Sequence, residues 1–340
     1  MKTDPNVPKN PQDLFQQRQS RRTFLTCTSA LMAAAALPAA VPPKKPEAKG
    51  LQIIDAHIHF YDPTRPQGVP WPPKNEPRLY RQVLPQDYKD QPQPRAVAGA
   101  VVVEASPWLD DNEWILNLAD RERLIAGFVG NLQIGDDNFE KNLKRLKDHW
   151  LFRGIRIRDE DASKSLHDPK LRKRFKLLAD LDLALDVNGP PTVLLHAASL
   201  AQDVPKLRIV VDHIGNPQID GHAPNADWML LLRAAAKHKN VSCKVSGLVE
   251  ATGRNDGSAP RDPDFYRPAL NALWDIFGED RLIYGSNWPV SSLYADLASV
   301  QTIPYEYFKS KGPSVLEKIF SGNAKRAYKW AKRTDALRQG

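Results

Sequence analysis

The chain has 340 residues, enough for one α/β barrel of about 250 residues or for two ordinary domains. Its 26% charged and 41% hydrophobic residues exclude an intrinsically disordered chain and a polytopic membrane protein. The formal charge of +8 falls to +5 once residues 1–40 are set aside, and the basic runs at 141–147 and 172–176 lie in predicted helices as solvated faces, which argues against a nucleic-acid partner.

Residues 1–40 read as a removable leader. Ser20-Arg21-Arg22-Thr23-Phe24-Leu25 fits the twin-arginine consensus, and an Ala-rich apolar run to Ala40 follows that is too short for a membrane span of about 20 residues. Cleavage is expected between Ala36 and Ala40, with export to the periplasm or beyond. Cys27 follows Thr26 and sits too near the arginines for lipidation, so Cys243 would be the one cysteine left and no intrachain disulfide is expected. A Pro/Lys linker occupies 41–50.

Beyond the linker, eight short apolar runs alternate with helical periodicity. They are Gln52–Ala56, Ala98–Val103, Leu124–Val129, Phe152–Ile157, Leu183–Val187, Leu207–Asp212, Val241–Val245 and Leu282–Gly285. Most are rich in Val, Ile and Leu with little polar alternation, the pattern of parallel strands buried on both faces. Helices are expected at Asp110–Arg123, Asp136–Trp150, Asp168–Asp180, Ala226–Lys239 and Asp262–Phe277, often opened by an acidic cap. Eight such units predict a closed (β/α)₈ TIM barrel over 51–335; a doubly wound nucleotide fold would need a glycine fingerprint that this sequence lacks. Tyr61–Arg95 holds nine of the 29 prolines, so the first crossover is a candidate lid over the barrel mouth.

Polar residues just past the strand ends would converge on that mouth. They are His57 and His59, Glu104, Asn131, Arg156, Asp186 with Asn188, Asp212 with His213, Lys244 with Ser246, and Asn287 with Trp288. Two histidines at i and i+2 on a strand share a face and can meet one metal ion or one substrate oxygen. Asp212 is expected to face the wall, because neighbouring strand residues alternate sides.

The segments IIDAHIHF at 53–60, FRGIRIR at 152–158, LALDVNG at 183–189 and LRIVVDHIGNP at 207–217 carry a family resemblance, together with NVSCKVSGL at 240–248, FGEDRLIYGSNWPV at 277–290 and SGNAKRAYKW at 321–330. In that order they resemble the amidohydrolase-related (amidohydrolase 2) family, especially its sugar-lactone and dicarboxylate-lactone hydrolases. The resemblance implies a barrel, hydrolysis of a carboxylic ester, and a site built from His57, His59, His213 and position 287. Here the sequence departs from the family, whose motif usually has aspartate where this chain has Asn287, and an amide cannot serve as a base. Asn188 likewise stands where metal-dependent relatives carry histidine.

The expected reading is a hydrolase opening a small sugar-type lactone, with His213 preferred to Asp186 as base and Arg156 with the first-strand histidines polarising the carbonyl. Asn188, Asp186 and Trp288 would hold the substrate, the tryptophan offering a face to a sugar ring. No metal is slightly preferred to a single divalent ion such as Zn²⁺ on His57, His59 and His213, because no anionic ligand is foreseen beside the imidazoles. The competing readings are a zinc-dependent decarboxylase and a non-catalytic carbohydrate-binding barrel. If the leader assignment is right, replacing Arg21 and Arg22 with lysine will retain the protein inside the cell. Undiminished recovery of the double variant from the periplasm would contradict it.

Overall fold

The computed structural model describes residues 50–330; the leader expected at 1–40, the expected linker to residue 49, and residues 331–340 lie outside the described residues. The described chain is a (β/α)₈ barrel. Its strands are β1 (Ile53–Ile58), β2 (Val97–Val103), β3 (Ile125–Asn131), β4 (Phe152–Arg158), β5 (Ala184–Asn188), β6 (Arg208–Val211), β7 (Val241–Val245) and β8 (Leu282–Tyr284). They follow one another in sequence order as one sheet, each parallel to its neighbours. The ring is closed just past β8, where Asn287 N–H donates to His57 O at 2.8 Å and His59 N–H donates to Trp288 O at 2.9 Å. Closure is therefore made by the same residues that carry the motifs of the mouth.

Strand alternation divides the apolar residues into two cores. Ile54, Ala56, Val101, Val103, Val129, Ala184, Val210 and Ile283 fill the barrel interior, while residues such as Ile53, Val102, Ile155 and Val211 pack outward against the helices. The inner core continues into the last helix, Asn323–Tyr328, whose Ala324, Ala327 and Tyr328 plug the amino-terminal end of the barrel. Strand packing is tight enough that a Cβ at Gly154 would collide with the Ala184 carbonyl, and one at Gly99 would lie 2.6 Å from the Trp330 ring.

All five helices foreseen are present, with ends shifted by no more than three residues: Leu109–Arg121, Phe139–Lys147, Pro169–Asp180, Ala226–Ala236 and Pro263–Phe277. Asp168 and Asp262 cap two of them, accepting from Lys170 N at 2.7 Å and Asp264 N at 2.9 Å, each followed by a proline at the first helical position. Two strand ends differ from expectation in a way that matters. β8 ends at Tyr284 rather than Gly285. β6 ends at Val211, and Asp212–Gly215 forms a tight 3₁₀ turn with His213, Ile214 and Asn216 at φ of 51°, 51° and 49°. Left-handed backbone costs non-glycine residues energy and needs support from surrounding structure. In that turn the alternation of a strand no longer applies, so Asp212 and His213 both face the mouth.

Candidate active site

The lower part of the site is a dry ionic cluster. Lys244, projecting from β7, is fully buried with Nζ 2.5 Å from Asp186 Oδ2, 2.9 Å from Asp212 Oδ1 and 3.0 Å from His57 Nδ1. Tyr328 reaches up from the plugging helix and donates its hydroxyl proton to Asp186 at 3.0 Å. Burial pushes Asp186 up to about 6 against the pull of Lys244. For Asp212 burial acts in the same upward direction, but Lys244 and His57 outweigh it and hold the carboxyl well below its ordinary range. Neither Asp212 oxygen has an aligned hydrogen bond, so its tie to Lys244 is one of charge.

The strand-one motif is pinned from beneath by Asp55. Its carboxyl accepts from Ser286 N at 2.8 Å, His57 N at 3.2 Å and the Tyr88 hydroxyl at 2.8 Å, joining β1, the loop after β8 and the Pro-rich crossover. Above it the three imidazoles gather, with ring centroids 4.9 Å apart for His57 and His59 and 4.4 Å for His57 and His213. Burial is the main cause that keeps all three neutral: it pushes His59 down to about 3 and His213 to about 4, and with the nearby Lys244 it holds His57 well below its ordinary value. His59 Nδ1 lies 2.9 Å from Val103 O and Nε2 lies 3.2 Å from Asn287 Oδ1, while His213 Nδ1 lies 3.0 Å from Ser246 Oγ.

A cavity of about 170 Å³ opens above them, lined by His59, Trp71, Arg156, Arg158, Asn188, His213 and Asn287 among others. Arg156 is buried and donates from Nε to Glu104 Oε1 at 2.8 Å and from Nη2 to the Glu104 carbonyl at 2.7 Å, so its guanidinium is held rigidly at the wall. Trp71 comes from the long crossover, which thus does reach over the mouth, its ring 5.9 Å from that of His59. A larger cavity of about 610 Å³ lies beside the ends of β2 and β3, around Trp108 and Asn131, but no histidine lines it and we place the chemistry in the smaller one.

Of the residues singled out in the sequence, His57, His59, His213, Arg156, Asn188, Asn287, Lys244, Ser246 and Glu104 meet at this mouth, whereas Asn131 lines the neighbouring cavity. Trp288 needs correction as a sugar platform. It is 1% exposed, edge-on to Phe60 and Tyr88, and belongs to the core; Trp71 is the aromatic that faces the cavity. Asp186, expected at the substrate, lies below it on Lys244. Asp212, expected in the wall, is in the cluster for the backbone reason given above. Glu250, on a 3₁₀ turn after β7, was missed altogether; it accepts from Asn287 Nδ2 at 2.8 Å, and burial pushes it up to about 7.

Donor atoms of His57, Asp212 and His213 lie within 4.8 Å of one another, and His57 Nε2 is buried without a hydrogen-bond partner. Two neutral imidazoles and a carboxylate fit one divalent cation. The anionic donor thought to be lacking is thus present, in Asp212, while His59 stands alongside with Nδ1 given to the Val103 carbonyl.

Eight parallel strands with histidines, a carboxylate and arginines at their carboxyl ends define a hydrolase barrel. A family model described as amidohydrolase matches residues 54–330, and the chain belongs to the amidohydrolase family. L-fucono-1,5-lactonase of Burkholderia ambifaria is 32% identical over 287 residues, 81% of this chain and 95% of that protein. L-fucono-1,5-lactonase of Burkholderia multivorans is 27% identical over 295 residues, 84% and 99% of the two chains. The crystal structure of a Burkholderia multivorans amidohydrolase with bound zinc superposes with a TM-score of 0.72 at 26% identity, over 82% of this chain and all of that one.

Removing the ammonium group from the cluster should expose its worth. Lys244→Met is expected to cost roughly 3–5 kcal/mol in urea unfolding at neutral pH, because two buried carboxyls lose their ammonium partner, Asp186 keeping only the Tyr328 hydroxyl and Asp212 only a 3.8 Å approach to Arg156 beside its contact with His57. With the cation gone, both carboxyls titrate above their unfolded values, so the folded variant binds more protons than the unfolded chain and its deficit shrinks as pH falls from about 7 toward about 4. A deficit that is constant or grows on acidification would contradict this account of the cluster.

Proposed function

We propose that the protein opens a small sugar-type lactone by adding water across its ester bond, the chemistry that the curated relatives' name L-fucono-1,5-lactonase describes for them. The observation that carries the reading is the 170 Å³ cavity in which a buried neutral imidazole, His213, faces the arginine wall of Arg156 and Arg158. A lactone needs three things from its enzyme: a base for the water, positive charge for the carbonyl oxygen, and a proton for the departing ring oxygen. His213 takes a proton from water as the new C–O bond forms. The imidazolium then returns that proton to the ring oxygen as the ring C–O bond breaks. Arg156, fixed by Glu104, supports the charge that builds on the carbonyl oxygen, and Asn188, Asn287 and Trp71 orient the ring and its hydroxyls. Asp186 is not the base in this scheme, because it is occupied by Lys244 and Tyr328.

The same site has the donors for a single divalent cation on His57, Asp212 and His213; with an ion there His213 would be a ligand, so its role as base belongs to the metal-free site. Such an ion, when bound, would supply Lewis acidity to the carbonyl and lower the pKa of water. The carbohydrate-binder reading drew on the amides at 188 and 287 as signs of lost function, and the imidazoles, arginines and carboxylate gathered at the mouth argue against it. The zinc-dependent decarboxylase reading is lowered by Asn287, an amide where an aspartate would be needed. The substrate is a small molecule, and among the described residues no helix is long and apolar enough to cross a membrane. Export by the twin-arginine route, from the leader motif, is part of this proposal.

Five- and six-membered aldonolactones should release protons in the presence of the protein, and His213→Ala should lower kcat/KM at least a hundredfold. Since the base must be neutral, wild-type kcat/KM should hold its plateau below pH 6.5 and fall on an acid limb near about 4. Failure to cleave any lactone of the panel would remove the assignment. In equilibrium dialysis the protein should take up no more than one zinc per chain, and Asp212→Asn should weaken uptake at least tenfold; unchanged affinity in that variant would show that the ion sits elsewhere.

A further inference from the structure

Glu250 differs from the other acids of the mouth. Glu104 is paired with Arg156, and Asp186 and Asp212 are paired with Lys244, but among the described residues Glu250 makes no ion pair. Its Oε1 accepts from Asn287 Nδ2 at 2.8 Å, and its Oε2 is buried with no hydrogen-bond partner among those residues. The titratable groups near it, Tyr266 and Tyr294, are phenols pushed up by burial and therefore neutral. No described cation explains a carboxyl in this position.

Asn287 is held at its backbone by the bond from its N–H to His57 O, and at φ 58° in the left-handed region. Only its carboxamide is left to turn. A carboxamide has a donor end and an acceptor end of nearly equal shape, so its neighbours decide which end points where. On one side is His59, whose Nδ1 carries a proton to the Val103 carbonyl, so that its neutral Nε2 holds a lone pair and by itself would draw the Nδ2 end of the amide. On the other is Glu250. When ionised it can only accept, and its full charge outweighs the lone pair of a neutral imidazole, so it takes the Nδ2 end and leaves Oδ1 at the cavity, 3.2 Å from His59 Nε2.

We infer that Glu250 is a positioning residue for the hydrolysis: through its bond to Asn287 Nδ2 it fixes the Asn287 oxygen as the hydrogen-bond acceptor facing the cavity. Oδ1 can then accept from a water or a substrate hydroxyl beside His59. Because an amide stands at position 287, a carboxyl is needed behind it to choose the amide's orientation. The inference deepens the lactonase reading and rests on it for its kinetic test.

The test is a double-variant cycle assayed at about pH 8, where the Glu250 carboxyl is ionised. Glu250→Gln keeps the shape but can present either end of its own amide, and should lower kcat roughly tenfold with KM within about twofold and the melting temperature unchanged. Asn287→Asp places two carboxyls against each other and should also lower kcat. Adding Glu250→Gln to Asn287→Asp supplies an N–H to the new carboxylate, so the double variant should be faster than Asn287→Asp alone. This reversal of sign is something that a purely structural role for Glu250 does not produce. Wild-type kcat in Glu250→Gln, a rise in KM alone, or a double variant no faster than Asn287→Asp would each overturn the inference. A neutron structure of the wild-type protein reads it without activity. Deuterons of Asn287 Nδ2 directed at Glu250 are expected, and deuterons directed at His59 would overturn it even if lactones were turned over; lactone inactivity with the expected deuterons would instead count against the substrate alone.

Discussion

The contact of Lys244 with Asp186, Asp212 and His57 is the constraint on which the site depends. Placing charges in a dry barrel interior costs several kcal/mol per ion unless each is matched at close range. Here one ammonium group from β7 meets carboxylates from the middle of β5 and the turn after β6, and an imidazole from β1. The partners come from four separate stretches of chain, so the match exists only when the barrel is fully formed. Folding and the electrostatics of the site are one event.

The consequences run upward from that cluster. With Asp212 held anionic and drawn toward Lys244, the turn after β6 is fixed with His213 at the cavity; the left-handed backbone at 213 and 214 is sustained by buried surroundings, and exposed Asn216 is tied down by its Nδ2, which donates to Asn188 Oδ1 and Gly189 O. Gly247 is part of that arrangement, since a Cβ there would lie 2.6 Å from the His213 Cβ. With Asp55 holding Ser286 and His57, the loop after β8 is fastened to β1. Asn287 is thereby delivered between His59 and Glu250. Neutral imidazoles above, balanced ions below and an arginine wall to one side give a site that can accept a proton and oppose an oxyanion at the same time.

Much of this was legible in the sequence, and the parts that were not have identifiable reasons. Short runs of Val, Ile and Leu separated by polar caps are a direct signature of doubly buried parallel strands, so the eight strands and five helices could be placed. The helix Val193–Asp203 escaped because it is apolar nearly all round after two prolines and gives no amphipathic contrast. Asp212 was set on the wrong face because strand alternation was extended one residue beyond the strand. Lys244 was undervalued because its partners, Asp186, Asp212 and His57, lie 58, 32 and 187 positions away in sequence. Trp288 was taken for the aromatic at the cavity and Trp71 was passed over because nothing local distinguishes a core tryptophan from one at a cavity. Glu250 had one faint signal, an acid a few residues beyond the Lys244-Val245-Ser246 strand end, and no way to show that it meets Asn287 across the mouth.

Tyr328 brings the end of the barrel's chain into its centre. Its hydroxyl meets Asp186 across 142 residues of sequence, and the helix that carries it seals the barrel floor. During synthesis, all eight strands have left the ribosome before this helix has, and until it docks Asp186 lacks one of its partners and the inner core stands open to water. A nascent or carboxyl-terminally clipped chain can have every residue that lines the cavity and still lack the dry floor on which their charge states depend. The long loop that this contact closes places it among the late events of folding.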